Sequence, residues 1–159
     1  MDDTLVLPNN MNKKHYLGFC GSISNRGDFI NDLYVKYKLV KDIDILGKNM
    51  VNAINSYYIH FNKNVSFDIN FRTFETMACN TLLLTNYHQH HTDLGLKDGI
   101  NFLTYKNRME LYEKLDYYLS DNKLSEIERI SNAGFELTKL KHTYNKRIEK
   151  LLQFISNKI

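Results

Sequence analysis

Short apolar runs alternate along the chain with segments whose apolar residues recur every three to four positions. Residues 15–20 (HYLGFC) predict a strand that ends at Gly21. A polar turn, 22–27, follows. Phe29, Leu33, Tyr34 and Tyr37 then share one face of a helix over 28–38, with Asp28 as its N-cap. Residues 42–46 (DIDIL) predict a second strand, stopped by Gly47, and 49–56 a short helix. Residues 57–61 (YYIHF) predict a third strand. Asn70 suits the N-cap of a helix over 71–79. Residues 81–85 (TLLLT) predict a fourth strand, apolar enough to be buried on both faces. After a polar loop (NYHQHHTD), 100–103 predict a fifth strand and 107–119 an amphipathic helix. Another helix starts near Leu124 or Ser125, where Ser125 and Glu128 have capping-box spacing. The last helix starts near Thr143, with Tyr144, Ile148, Leu151, Leu152, Ile155 and Ile159 along one stripe.

Strands alternating with helices imply right-handed βαβ units and a parallel sheet covered on both faces. Such sheets bind ligands outside the carboxyl ends of their strands. The turns after Cys20, Phe61, Thr85 and Leu103 are therefore expected along one rim. Residues 1–13 lack periodicity and read as a flexible leader, 14–140 as the α/β domain, and 141–159 as a C-terminal amphipathic helix.

Composition narrows the classes. The 159 residues suit one domain. With 21 basic against 18 acidic residues, the net charge of +3 argues against a nucleic-acid partner but leaves room for a local phosphate site. The acidic start, MDDTLVLPNN, is no signal peptide, and no apolar run is long enough for a transmembrane segment. Cys20 and Cys79 each lie in or beside an apolar run, which predicts buried free thiols and a cytoplasmic setting.

The segment DINFRTFETMACNTLLLTNY, 68–87, resembles the signature of group 1 glycosyltransferases, in the branch related to spore-maturation-type proteins. That branch reads roughly D-x-N-x-R-x-F-E-x-x-A-C-G-x-x-L-L-T. Asp68, Asn70, Arg72, Phe74, Glu75, Ala78, Cys79, Leu83, Leu84 and Thr85 match. FCGSISNRGDFINDL resembles the family's first strand and glycine turn at Gly21, and HTYNKRIEKLL its terminal helix. The resemblance implies a Rossmann-like domain, a single half of a GT-B fold, that binds a UDP- or GDP-type nucleotide sugar. It implies that Glu75 holds the ribose hydroxyls; a carboxylate offers two acceptors to a diol's two donors. It places Arg26 on the diphosphate, with Arg72 able to serve the same end through its planar fork. Asn70, Gly21 and Thr85 complete the expected substrate-binding set, with Asn70 read foremost as a helix cap.

Asn80 stands where the family has glycine, so a side chain is expected near the ligand. Phe67 occupies the usual acidic position two turns before Glu75, with the neighbouring Asp68 as its substitute. The stretch 47–61 is short, which trims the part that shapes the base pocket. The other half of the fold, which supplies the acceptor site, is missing. Transfer therefore requires a separate acceptor-domain chain or a homodimer, and a non-catalytic module that binds or sequesters a nucleotide is the alternative. His88, His90, His91 and Asp93 invite a metal reading, but HxHH lacks the helical spacing of a zinc site. No metal and no cofactor are expected.

Overall fold

The computed structural model describes residues 1–9 and 11–157. Five strands alternate with helices: β1 (His15–Gly21), α1 (Gly27–Tyr37), β2 (Val40–Ile43), α2 (Gly47–Asn55), β3 (Tyr57–Asn62), α3 (Phe71–Ala78), β4 (Leu82–Asn86), a 3-10 turn (Gln89–Leu94), β5 (Leu103–Tyr105), α4 (Arg108–Tyr118), α5 (Leu124–Lys141) and α6 (Tyr144–Ser156). All strand pairings are parallel, in the order β2-β1-β3-β4-β5. The chain reverses its winding between β1 and β3, and a doubly wound sheet opens a ligand crevice at that point.

The two faces are packed as a buried parallel sheet requires. Leu17, Phe19, Ile59, Phe61 and Leu84 meet Ile30 and Leu33 of α1, Leu111 and Leu115 of α4, and Ile127 and Ile130 of α5 in one cluster. Cys20 and Tyr57 meet Met50 and Ile54 of α2 and Phe74 and Ala78 of α3 in the other. Cys20 and Cys79 are free, buried thiols. Burial raises both, Cys20 to about 11 and Cys79 to about 12, so neither is a ready nucleophile.

Several boundaries move from their expected places. β2 is four residues long and starts at Val40, because Asp44 turns left-handed (φ 55°) and ends it early. Gly47 opens α2 instead of stopping a strand. β5 forms at Leu103–Tyr105, not 100–103; Phe102, Leu103 and Tyr105 are buried there while Ile100 is exposed. Arg26, not Asp28, is the N-cap of α1, and Asp28 sits in the first turn, where the helix dipole favours its charge. Asn80 does adopt the left-handed conformation (φ 51°) that ends α3. Its side chain bonds Asn132 Oδ1 at 2.7 Å, at the amino end of β4. The carboxyl ends of the strands, where ligand is expected, lie at the opposite end, so the Asn80 side chain does not stand near that rim.

Residues 1–9 have no helix or strand, yet they pack. Met1 and Val6 are buried in the α2–α3 cluster, and the Tyr144 amide donates to the Met1 carbonyl at 3.0 Å. In α6 no residue is buried; Tyr144, Ile148, Leu151, Leu152 and Ile155 are exposed. Ile159 lies outside the described residues. Among the described residues, no helix is long and apolar enough to cross a membrane.

Candidate functional site

At the β1–β3 reversal a cleft of about 320 Å³ opens at the carboxyl end of the sheet. Gly21, Ser22 and Arg26 line it from the turn after β1, Asn62 from the end of β3, and Asn70, Arg72 and Glu75 from the start of α3. Five residues singled out in the sequence, Gly21, Arg26, Asn70, Arg72 and Glu75, thus share one cleft. Thr85 does not line it. It is buried beneath, where its Oγ1 accepts from Asn62 Nδ2 at 3.4 Å and supports the floor. Asp68 is exposed outside the cleft, and the turns after β4 and β5 contribute nothing to its lining.

The lining of the cleft carries more positive than negative charge. Arg26 donates through Nε to the Lys63 carbonyl at 2.6 Å and through Nη1 to the Ser22 carbonyl at 2.8 Å. These bonds fix its plane and leave other N–H groups unspent. Burial, and then the Arg72 charge beside it, hold Arg26 below its ordinary value. Two guanidiniums therefore line one cleft with a single carboxylate. That carboxylate, Glu75, accepts from Arg72 Nη1 at 2.9 Å in a half-buried pair.

The start of α3 adds to this field. Asn70 occupies the N-cap position but makes no side-chain cap. Its amide instead exchanges hydrogen bonds with Asn62, at 3.2 and 3.3 Å. The first-turn N–H groups of α3 are left uncapped by that side chain, and a helix start of this kind attracts anions. Gly21, at φ 155°, lines the cleft with bare backbone, and a Cβ added there would stand 3.5 Å from Phe19, which also lines it.

Two residues absent from the sequence reading join the walls. His60 is wholly buried in β3. Its Nε2 accepts from the Cys20 amide at 3.0 Å, so Nδ1 carries the proton and donates to Thr76 Oγ1 at 2.6 Å. Thr76 in turn donates to the Arg72 carbonyl at 2.7 Å. This chain ties the residue before Gly21 to the first turn of α3, and so sets the spacing of the two walls. Burial, and then Arg72, push His60 down to about 3, so the ring stays neutral at ordinary pH. The only signal in the sequence was one histidine inside an apolar strand.

The histidine-rich loop is a structural turn. His88 Nδ1 accepts from the His90 amide at 3.2 Å, and His91 Nδ1 accepts from the His88 amide at 3.3 Å, which caps the 3-10 turn. His90 pairs with Asp93 at 2.8 Å in solvent. Among the described residues, no group of three or more His, Cys, Asp or Glu is placed to hold a metal ion.

Comparisons with known proteins bear on the fold and the family. No curated protein matches the sequence significantly. The C-terminal domain of a group 1 family glycosyl transferase (LpcC) from Francisella tularensis superposes with a TM-score of 0.70 at 15% identity, over 91% of this chain and 99% of that one. Sucrose-phosphate synthase from Thermosynechococcus elongatus gives 0.73 at 9% identity, over 100% of this chain and 52% of that one. HepE from Anabaena, solved in complex with UDP and glucose, gives 0.64 at 10% identity, over 89% and 40%. These likenesses show the fold, that of the C-terminal half of a GT-B enzyme, and the chain spans about half or less of the two longer proteins. A family model described as glycosyl transferase-like matches residues 27–153, which include α1, the uncapped start of α3 and Glu75. The chain belongs to the glycosyl transferase-like family.

Proposed function

We propose that the chain is the donor half of a glycosyltransferase, and that its cleft binds a UDP- or GDP-type nucleotide sugar. The observation that carries this reading is the meeting of Arg26, Arg72 and Glu75 at the β1–β3 reversal. The diphosphate lies between the two guanidiniums and the start of α3, where charge-assisted hydrogen bonds are strongest. Glu75 turns its carboxylate to the ribose, held ready by Arg72. A nucleotide sugar that spread along this cleft would keep one side in water. The second wall, and with it the acceptor site, comes from a separate acceptor-domain chain or a second copy. Transfer in a wet, half-open site competes with hydrolysis.

A second reading has its own support. The chain spans 52% and 40% of two longer neighbours, and Arg26, Arg72 and Glu75 suffice to bind a nucleotide without a second wall. On that reading it binds or sequesters a nucleotide without turnover.

A thermal-shift panel tests the site. A nucleotide at about one hundred times its dissociation constant stabilises the fold by about 2.7 kcal/mol. UDP or GDP should raise the melting temperature, and Glu75→Ala should remove most of the gain from nucleosides while pyrophosphate keeps its own. Loss of the pyrophosphate shift in Arg26→Gln and Arg72→Gln completes the expected pattern. No shift from any nucleotide overturns both readings. Turnover with an acceptor, by the chain alone, decides against the second.

A further inference from the structure

A second recess opens on the same rim, beside the donor cleft. Its volume is about 480 Å³. Thr92, Asp93, Leu94 and Gly95 form one side; Lys141, His142, Arg147 and Lys150 form the other. Asp93 is the one acid in the lining, and its carboxylate is drawn 2.8 Å from His90. No ion pair engages Lys141, Arg147 or Lys150 among the described residues.

Arg147 is held in place, unlike a loose surface cation. His142 is buried, and its Nε2 donates to the Leu94 carbonyl at 2.9 Å. Its Nδ1 is therefore the acceptor, and Arg147 Nη2 donates to it at 3.4 Å. The guanidinium also lies over the Phe74 ring, 5.0 Å from the centroid, and His142 packs on the same ring at 4.5 Å. A planar cation stacked this way keeps its remaining N–H groups for an oxyanion.

The recess and the donor cleft share lining residues with a third, smaller pocket. That pocket is lined by Asn70, Phe71, Phe74, Tyr144 and Arg147. Asn70 and Phe71 also line the donor cleft, and Arg147 also lines the recess. Phe74 is one residue from Glu75, so the path from the ribose-facing carboxylate to Arg147 is short.

We infer that this recess is a second anion subsite, and that it holds the phosphate of an acceptor whose reacting end lies on the second wall while the donor occupies the neighbouring cleft. Arg147 supplies the oriented fork, and Lys141 and Lys150 neutralise the remaining charge. The inference rests on the donor reading for its place in a reaction, but its binding test does not. The phosphate comes from a soluble phosphoester or from a lipid headgroup, and the chemistry of the recess is common to both.

Amide resonances of the whole chain, followed while inorganic phosphate is added, read the two sites separately. Signals of Lys141, His142, Arg147 and Lys150 should shift with saturation. Arg147→Gln should weaken that binding at least about fivefold, consistent with the loss of one charge-assisted bond. The shifts at Gly21 and Arg72 should stay. Lys150→Gln, which leaves the Phe74 stack intact, should weaken the same site and so guards against a local packing defect. Glycerol 3-phosphate that binds as phosphate does supports a soluble source. Flotation with phosphatidylglycerol vesicles, lost in Arg147→Gln and absent with phosphatidylcholine, supports a lipid source. Shifts confined to Gly21 and Arg72, or recess shifts unchanged in both variants, overturn the inference whatever the fate of the donor site.

Discussion

Lowering the pH from 7 to about 4.5 will cost the fold roughly 3 kcal/mol through His60 alone. Burial, with the Arg72 charge behind it, drops this imidazole from its ordinary 6.5 to about 3. Between those values the unfolded chain takes up a proton that the folded chain refuses. Stability from this group is complete above pH 6.5 and falls as the pH drops towards 3. His91, pushed down to about 4 by burial and then by His88, loses stability in the same direction, as does the buried His142. A domain with a total stability of about 5–15 kcal/mol feels such a sum. The check is thermal unfolding at a series of pH values for the wild type and His60→Gln. Glutamine can accept from the Cys20 amide and donate to Thr76, but it does not titrate. Its melting temperature should fall less steeply with acid. The carboxylates and the other histidines titrate alike in both proteins, so the difference in slope belongs to His60. Equal slopes would remove the histidine from the account.

The same residue marks where the sequence stopped speaking. The alternation of apolar runs with helical stripes was enough to call for a parallel α/β sheet, because a strand buried on both faces has few other patterns open to it. Glu75, Arg72 and Asn70 were legible because they sit at fixed spacing in one contiguous motif, and a helix start puts such residues on one rim. Arg26 and Gly21 were legible as the turn after the first strand. His60 was not, since a single histidine in YYIHF has no spacing to interpret; its partners lie 40 and 16 residues away in sequence. Asn70 does stand at the N-cap position, but its side chain makes no cap bond, for a similar reason. An asparagine beside a helix start normally bonds the first turn, but here Asn62, at the end of a neighbouring strand, competes successfully for the amide. The packing of Met1 and Val6 depends on a groove that local composition cannot reveal. The edge positions of β2 and β5 were set by left-handed and turn residues next to them, and the apolar pattern alone spans those equally well in either register.

Replacing Gly18 with alanine should destabilise the fold by about 3 kcal/mol or more, the upper range for overpacking a filled site. Gly18 lies in β1, opposite His60 of β3. An added Cβ would stand 2.3 to 2.4 Å from three ring carbons of Tyr57. That ring cannot swing aside. It is fully buried, stacked 5.8 Å from the His60 ring, and its hydroxyl donates to the Asp42 carboxylate. Tyr57 thus leaves β3, crosses the bare backbone of β1 at Gly18 and ends on β2, so one side chain clamps three strands. Glycine is needed here for close approach, not for an unusual backbone angle. The clamp lies two residues before Cys20 and three before Gly21, so its failure would also shift the wall of the donor cleft. Chemical denaturation of Gly18→Ala, Tyr57→Leu and the double variant resolves the point. Tyr57→Leu alone should be destabilising, through the lost ring and the stranded Asp42. In the double variant the alanine should cost far less than it does beside tyrosine, because the smaller side chain leaves room for the Cβ. That coupling is expected to exceed about 1 kcal/mol, well outside the few tenths by which independent sites depart from additivity. Additive losses would mean that the alanine's cost arises elsewhere in β1, and that the tyrosine clamp does not set the strand spacing at the site.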